Sequence, residues 1–136
     1  MLLYIDPKSE QPIYDQIVRQ IKFAVATGSV RTGSMVPSVR ELAKELVLNP
    51  NTIARAYREL QADGVLETVR GQGLRVAAKA LRRCVNERKE LIRSRLEQVL
   101  REASMSSLSR EEIEAMIERE LDRFTQPDPQ PSKRST

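Results

Sequence analysis

The sequence contains no histidine and no tryptophan, a single cysteine, and only 4% aromatic residues over 136 positions. Each absence removes a class of function. Without histidine the commonest general base and the commonest metal ligand are gone. Cys84, being alone, can form neither an internal disulfide nor a thiolate metal cluster. Such a cysteine at an apolar-flanked helix position is far more often packed than redox-active. Few aromatics also speak against a large cofactor cavity, and a core of Leu, Ile, Val and Ala suits packed helices instead. No apolar run approaches the roughly 18 residues of a membrane span, and the N-terminus lacks a signal-peptide core, so no membrane partner and a cytoplasmic location are expected. There is no glycine-rich phosphate loop and no set of converging carboxylates, so neither an enzyme nor a cofactor is expected. What remains is enough chain for one domain and an appendage. Its net charge is +4 with 31% charged residues, which favours nucleic acid or another acidic surface as partner.

Along the chain, "LLYI" (2–5) reads as a small strand or an extended arm ended by Asp6-Pro7. In "PIYDQIVRQIKFAVATG", Ile13, Ile17, Ile21 and Val25 recur every four residues between Pro12 and Gly28, the pattern of an amphipathic helix with one buried stripe. Ser38 followed by Glu41 makes a capping box, which predicts a short second helix from Val39 to about Leu46. A third helix starts at Pro50 after Asn49 as N-cap and runs to about Asp63, with Gly64 ending it. Two short helices joined by so tight a turn match a helix-turn-helix. Beyond Gly64 the period falls to two: "VLETV" (65–69) and "LRV" (74–76) flank Arg70-Gly71-Gln72-Gly73 as a hairpin. Three helices and then a hairpin is the order of a winged helix-turn-helix, so the fold class is mainly α with a β-hairpin wing.

The third helix, "LNPNTIARAYREL" (48–60), carries the function. At about 100° per residue, Ile53, Ala56, Tyr57 and Leu60 share one side, and Asn51, Arg55 and Arg58 the other. One face packs while the opposite face presents hydrogen-bonding groups and cations. Its N-terminal end offers Asn49, Asn51 and Thr52, whose amides can pair with adenine and whose methyl can meet the thymine methyl, and Pro50 keeps that entry rigid. Arg40 lies in the first turn of the preceding helix. Residues 68–79 hold Arg70, Arg75 and Lys79 with no acid among them, the footprint of a wing on the DNA backbone.

As an ordered set, Gly33, Pro37-Ser38, Arg40, Leu42-Ala43, Asn49 through Ile53, Ala56, Leu60, Gly64 and Gly71-x-Gly73 resemble the GntR-type winged helix-turn-helix of bacterial transcription regulators. The resemblance spans about residues 2–78, and the short helical remainder is similar to the YtrA-type branch, which dimerises through two such helices. It implies DNA contacts from Arg40, Asn49, Asn51, Thr52, Arg70 and Gly71; helix and hairpin geometry add Arg55 and Gln72, with Pro50 and Gly73 completing the two tips. Three features depart from the family pattern. Val47 stands where glycine is common in the helix–helix turn, so that turn is either different or strained. Leu74-Arg75 replaces the usual threonine and aromatic, and Pro50 replaces a basic side chain.

The C-terminal part contains no glycine or proline over residues 80–124. Val85, Ile92, Leu96 and Val99 follow a three-four spacing, and Ser109 with Glu112 caps a second stripe of Ile113, Met116, Ile117 and Leu121. The expected organisation is a DNA-binding domain over 1–78, a helical dimerisation region over 79–124 and a disordered tail over 125–136. The expected function is a sequence-specific regulator, a repressor, gripping palindromic double-stranded DNA as a homodimer; no sequence pattern names a small-molecule effector. Two rivals stand beside it. The C-terminal helices could pack on their own domain, and the whole fold could serve as a winged-helix protein-interaction module.

Overall fold

A computed structural model of the chain describes residues 1–125. Its elements are α1 (Ile13–Ala26), α2 (Val39–Leu46), α3 (Pro50–Ala62), β1 (Leu66–Val69), β2 (Gly73–Val76), α4 (Ala80–Met105) and α5 (Arg110–Thr125). This is the expected winged helix-turn-helix followed by two helices. The expected tail begins on the last residue of α5, and the rest of it lies outside the described residues.

The chain divides into two compact units, one of Met1–Leu91 and one beginning at Ile92. The core of the first is built from the predicted stripes. Ile17, Ile21 and Val25 of α1 meet Leu42 of α2 and Ile53 and Leu60 of α3, all with no measurable exposure. Each such side chain contributes about 1.5–3 kcal/mol by leaving water. Val65 and Val76 close the core from the hairpin side, and the first turns of α4 add Ala80 and Cys84. The first unit therefore extends past residue 78.

The segment "LLYI" is an arm, not a strand. Two side-chain amides of α1 bond the backbone at Tyr4 and at Asp6 just after the arm. Gln16 is buried; its Oε1 accepts from the Asp6 N–H at 2.9 Å, and its Nε2 donates to the carbonyls of Asp6 and Gln11. Gln20 Oε1 likewise accepts from the Tyr4 N–H at 2.7 Å, while its amide donates to the Tyr4 carbonyl. Side-chain amides thus replace the ladder that a neighbouring strand would supply.

The ends of α2 and α3 follow one pattern with two different residues. Gly64 takes φ +77°, the Gly64 N–H bonds the Gln61 carbonyl, and the Val65 N–H reaches back to Leu60 at 2.8 Å. At the end of α2 the same pair of bonds forms, Val47 to Lys44 and Leu48 to Ala43, but Val47 sits in the left-handed region at φ 55°, ψ 53°. Both are Schellman ends. The turn between α2 and α3 therefore keeps the conformation that glycine favours, and a β-branched residue bears its strain.

In the second unit, the Ser109 N–H bonds Glu112 Oε1 and the Glu112 N–H bonds Ser109 Oγ, both at 3.1 Å, so the expected capping box is formed. No residue of α5 is buried.

Val47 is 88% exposed, so shortening its side chain loses almost no packing. Val47→Gly should raise the unfolding free energy by about 1 kcal/mol, relief of left-handed strain exceeding the extra entropy of the unfolded glycine. Urea unfolding measures this, and a lowered midpoint would show that the turn is not strained.

Candidate nucleic-acid interface

The exposed end of α3 is assembled by its own cap. Asn49 Oδ1 accepts from the Asn51 N–H at 2.8 Å, and Pro50 occupies the first helical position, where no N–H is needed. This fixes the helix entry but commits the Asn49 oxygen to the backbone. Only the Asn49 NH₂ group is left to donate outward. Asn51 is exposed with its amide intact, Thr52 is half-buried beside it, and Arg55 is exposed one turn on. On the opposite side Ile53, Ala56, Tyr57 and Leu60 are buried, as the wheel requires.

Residues 33–38 tie this helix to the wing. Tyr57 is 2% exposed and its hydroxyl donates to the Pro37 carbonyl at 2.8 Å, with burial pushing its pKa up. Ser38 then caps α2: the Glu41 N–H bonds Ser38 Oγ at 3.1 Å, and Glu41 Oε1 accepts from the Ser38 N–H at 2.8 Å. The Ser38 backbone N–H, and after it the Ser38 hydroxyl, hold the Glu41 carboxyl below its usual pKa. Just upstream, the chain pairs with the outer edge of β2. The Gly33 N–H reaches the Val76 carbonyl, Ser34 O accepts from Val76, and the Val36 N–H bonds Leu74 O at 2.9 Å. The composition of "GSMV" gives no strand signal, so this edge is a feature that sequence reading missed.

The wing itself is an antiparallel pair with Leu66 opposite Val76 and Val69 opposite Gly73. Arg70, Gly71, Gln72 and Gly73 form its exposed tip. Gly71 adopts φ +77° and Gly73 φ +120°, and a Cβ on Gly73 would lie 3.6 Å from Met35 Cε. Both turn glycines are used for their conformation.

Charge pairing separates the cations into two sets. Arg75, counted with the wing's positive charge in the sequence, is matched across the hairpin by Glu67 at 2.6 Å. Lys22 of α1 bonds Asp63 at the end of α3 and Glu87 of α4, at 2.8 and 3.1 Å. Burial alone would lower the Lys22 pKa, but the two carboxylates outweigh it and the net shift is upward. Among the described residues, Arg40, Arg55 and Arg70 have no such carboxylate partner. Arg40 is exposed in the first turn of α2 and Arg70 at the wing tip. Arg55 instead lies over the ring of Tyr14, 3.7 Å from its centroid. Cations without a carboxylate partner thus include those at the head of α2, on α3 and at the wing tip, the elements expected to meet a polyanion.

Comparison with known proteins agrees with this geometry. Residues 13–76 match the family described as "Bacterial regulatory proteins, gntR family". The chain is 36% identical to the HTH-type transcriptional repressor YtrA of Bacillus subtilis (strain 168) over 116 residues, covering 85% of this chain and 89% of that one. This chain belongs to the GntR family. It is also 40% identical to the regulator YhcF of the same organism over 107 residues, 78% of this chain and 87% of the relative. The crystal structure of a transcriptional regulator from Oenococcus oeni superposes with a TM-score of 0.77 at 32% identity, covering 88% of this chain and 99% of the other.

As a GntR-family member the chain is a DNA-binding transcription regulator and not an enzyme. Among the described residues no cluster of three His, Cys, Asp or Glu is placed to hold a metal, and no helix is long and apolar enough to cross a membrane. Cys84 is 1% exposed, and burial raises its thiol pKa, so it is packed and unreactive.

The Tyr57 hydroxyl is the one side-chain bond from the reading helix to the segment that carries the wing edge, among the described residues. Tyr57→Phe should cost about 0.5–1.5 kcal/mol of stability, since the Pro37 carbonyl loses its partner. Urea unfolding of the variant reads this, and an unchanged midpoint would show that the bond adds nothing to fixing α3.

Proposed function

We propose that this GntR-family protein is a cytoplasmic, sequence-specific repressor that grips a palindromic operator as a homodimer. The observation that carries the reading is that Arg40 on α2, Arg55 on α3 and Arg70 at the wing tip have no carboxylate partner among the described residues, while α3 offers an exposed, amide-bearing end. Residues 1–78 bind DNA and residues 79–124 pair the two copies. Asn51 is the principal reader, its amide able to bond adenine N6 and N7 together. Thr52 offers a methyl to thymine, and Asn49 offers its NH₂ group alone, because its oxygen caps the helix. Pro50 holds the entry in place. Arg40, Arg70 and the wing-tip backbone at Gly71 and Gly73 hold phosphates, and Gln72 reaches the adjoining groove. The similarity to a protein named as a repressor, over nearly its full length, supports the sign of regulation.

Pairing is supported by apolar side chains that one chain leaves uncovered. In α4, Val85 is 39% exposed, Ile92 48%, Leu96 49% and Val99 58%; in α5, Met116, Ile117 and Leu121 are exposed and Ile113 is half-buried. A second copy can cover such stripes, and its two-fold symmetry sets two reading helices about one helical turn (~34 Å) apart along the DNA. Repression then follows from occupying a promoter.

Two experiments test the reading. Asn51→Ala should cost about 1–3 kcal/mol on the selected operator and relax preference at one base pair. Arg70→Ala should weaken all duplexes evenly and lower the salt slope by about one. Equal losses on operator and random DNA for both variants would remove Asn51 as a reader. For pairing, Leu96→Glu should convert a dimer into a monomer by light scattering at micromolar concentration and reduce operator affinity. A wild-type protein that is monomeric under those conditions, yet binds the operator fully, would end the dimer reading.

A further inference from the structure

Arg55 is held differently from Arg40 and Arg70. Its guanidinium carbon lies 3.7 Å from the centroid of the Tyr14 ring, which α1 supplies from its first turn. Arg55 is exposed and Tyr14 half-buried, so the stack lies at the protein surface where α1 and α3 pack together. A guanidinium stacked through its face keeps its N–H donors, which lie in its plane, free for an acceptor. The stack also takes most of the rotational freedom from a long side chain before any ligand arrives. The neighbouring carboxylate does not oppose an anion here. Asp15 is bonded by Arg19 at 3.2 Å and by the Gln11 amide at 2.8 Å.

From this geometry we infer that Tyr14 is a positioning residue for DNA binding, holding the Arg55 guanidinium edge-outward so that it takes one backbone phosphate beside the reading helix. The inference rests on the DNA-binding reading above and adds α1 to the surface that touches the duplex. A phosphate is favoured over a guanine edge by position. Base edges meet the N-terminal end of a reading helix. Arg55 lies a full turn beyond Asn51 and leans on α1. The contact therefore adds affinity and fixes register without reading sequence.

The test compares Tyr14→Leu, Tyr14→Phe, Arg55→Ala and Arg55→Lys in the full chain, on the selected operator and on random duplex, across salt concentrations. Tyr14→Leu should weaken both duplexes by about three- to tenfold, the worth of a cation–π contact that steadies a charge. It should also lower the salt slope toward that of Arg55→Ala, whose slope falls by about 0.9 for one lost phosphate. Tyr14→Phe, which keeps the ring face, should bind as the parent does. In the double variant Tyr14→Leu with Arg55→Ala, binding should be no weaker than with Arg55→Ala alone. Arg55→Lys keeps the charge but not the planar stack, and should lose binding even if Tyr14→Leu fails to fold.

Full binding by a folded Tyr14→Leu alongside a weak Arg55→Ala would overturn the positioning role and leave the DNA-binding reading standing. Losses that simply add in the double variant would do the same, as would equal loss in Tyr14→Phe, which would assign the effect to the hydroxyl. A loss confined to one base pair of the operator would overturn the phosphate assignment. If the parent protein itself fails to distinguish operator from random duplex, the DNA-binding reading fails first, and that result is separate from all of these.

Discussion

Residues 33–38 are the constraint on which the DNA-binding unit depends. One short stretch pairs with the free edge of β2, supplies the carbonyl that Tyr57 bonds, and ends in the serine that caps α2. The wing, α3 and α2 are therefore referred to a single piece of backbone. Each of these bonds is worth little alone, about 1 kcal/mol net. Their value lies in direction. A reading helix that is packed but free to rotate by one residue would turn Asn51 away and Ile53 outward, which the fully buried Ile53, Leu60 and Leu42 also oppose. Packing decides which face is inside, and the 33–38 segment decides where the open end points.

What could be read from the sequence divides by range. Helix starts at Ser38, Asn49 and Ser109 were legible because their capping chemistry is contained within three or four residues. The apolar stripes of α1 and α3 were legible because their period is local and their partner is simply the core. The wing turn was legible from its glycines. Features made by residues far apart in sequence were not. Nothing in "GSMV" announces a strand edge, and nothing in Gln16 or Gln20 announces that two amides will stand in for a ladder along the N-terminal arm. Val47 is the instructive intermediate. The departure from glycine was visible, but only the two Schellman bonds show that the turn kept its shape and the side chain bears the strain.

Charge was the least legible property. In the sequence, Arg70, Arg75 and Lys79 over residues 68–79 counted together as the wing's positive charge. The structure divides that charge. Arg75 spends its charge on Glu67 across the strand pair and Lys22 on Asp63 and Glu87, while Arg70 at the tip and Arg40 at the head of α2 have no carboxylate partner among the described residues. Counterion release depends on cations that reach phosphate, so the number that matters for DNA is the unmatched set and not the total. A composition count cannot make that distinction, because pairing depends on register: Glu67 faces Arg75 only once Leu66 lies opposite Val76. A one-residue slip of the hairpin would put Glu67 and Arg75 on opposite faces and change the wing's charge without changing its sequence.

The same logic of assigned roles bears on α4. Its first turns bury Ala80 and Cys84 in the core of the first unit, and Glu87 joins the Lys22 pair. That end of the helix serves folding, which explains why a lone cysteine is kept there as a packed group of modest size. From Ile92 onward no residue of α4 is buried, although the apolar spacing continues through Leu96 and Val99. A helix whose periodicity outlasts its own core has a second surface to satisfy. Charged residues at neighbouring positions, such as the Arg101–Glu97 pair, keep the rest of that helix surface polar. An exposed polar helix alone needs no such stripe, and the apolar positions Ile92, Leu96 and Val99 recur at three-four spacing without a core of their own. Under the proposed pairing, another copy of α4 and α5 would cover them without any further component.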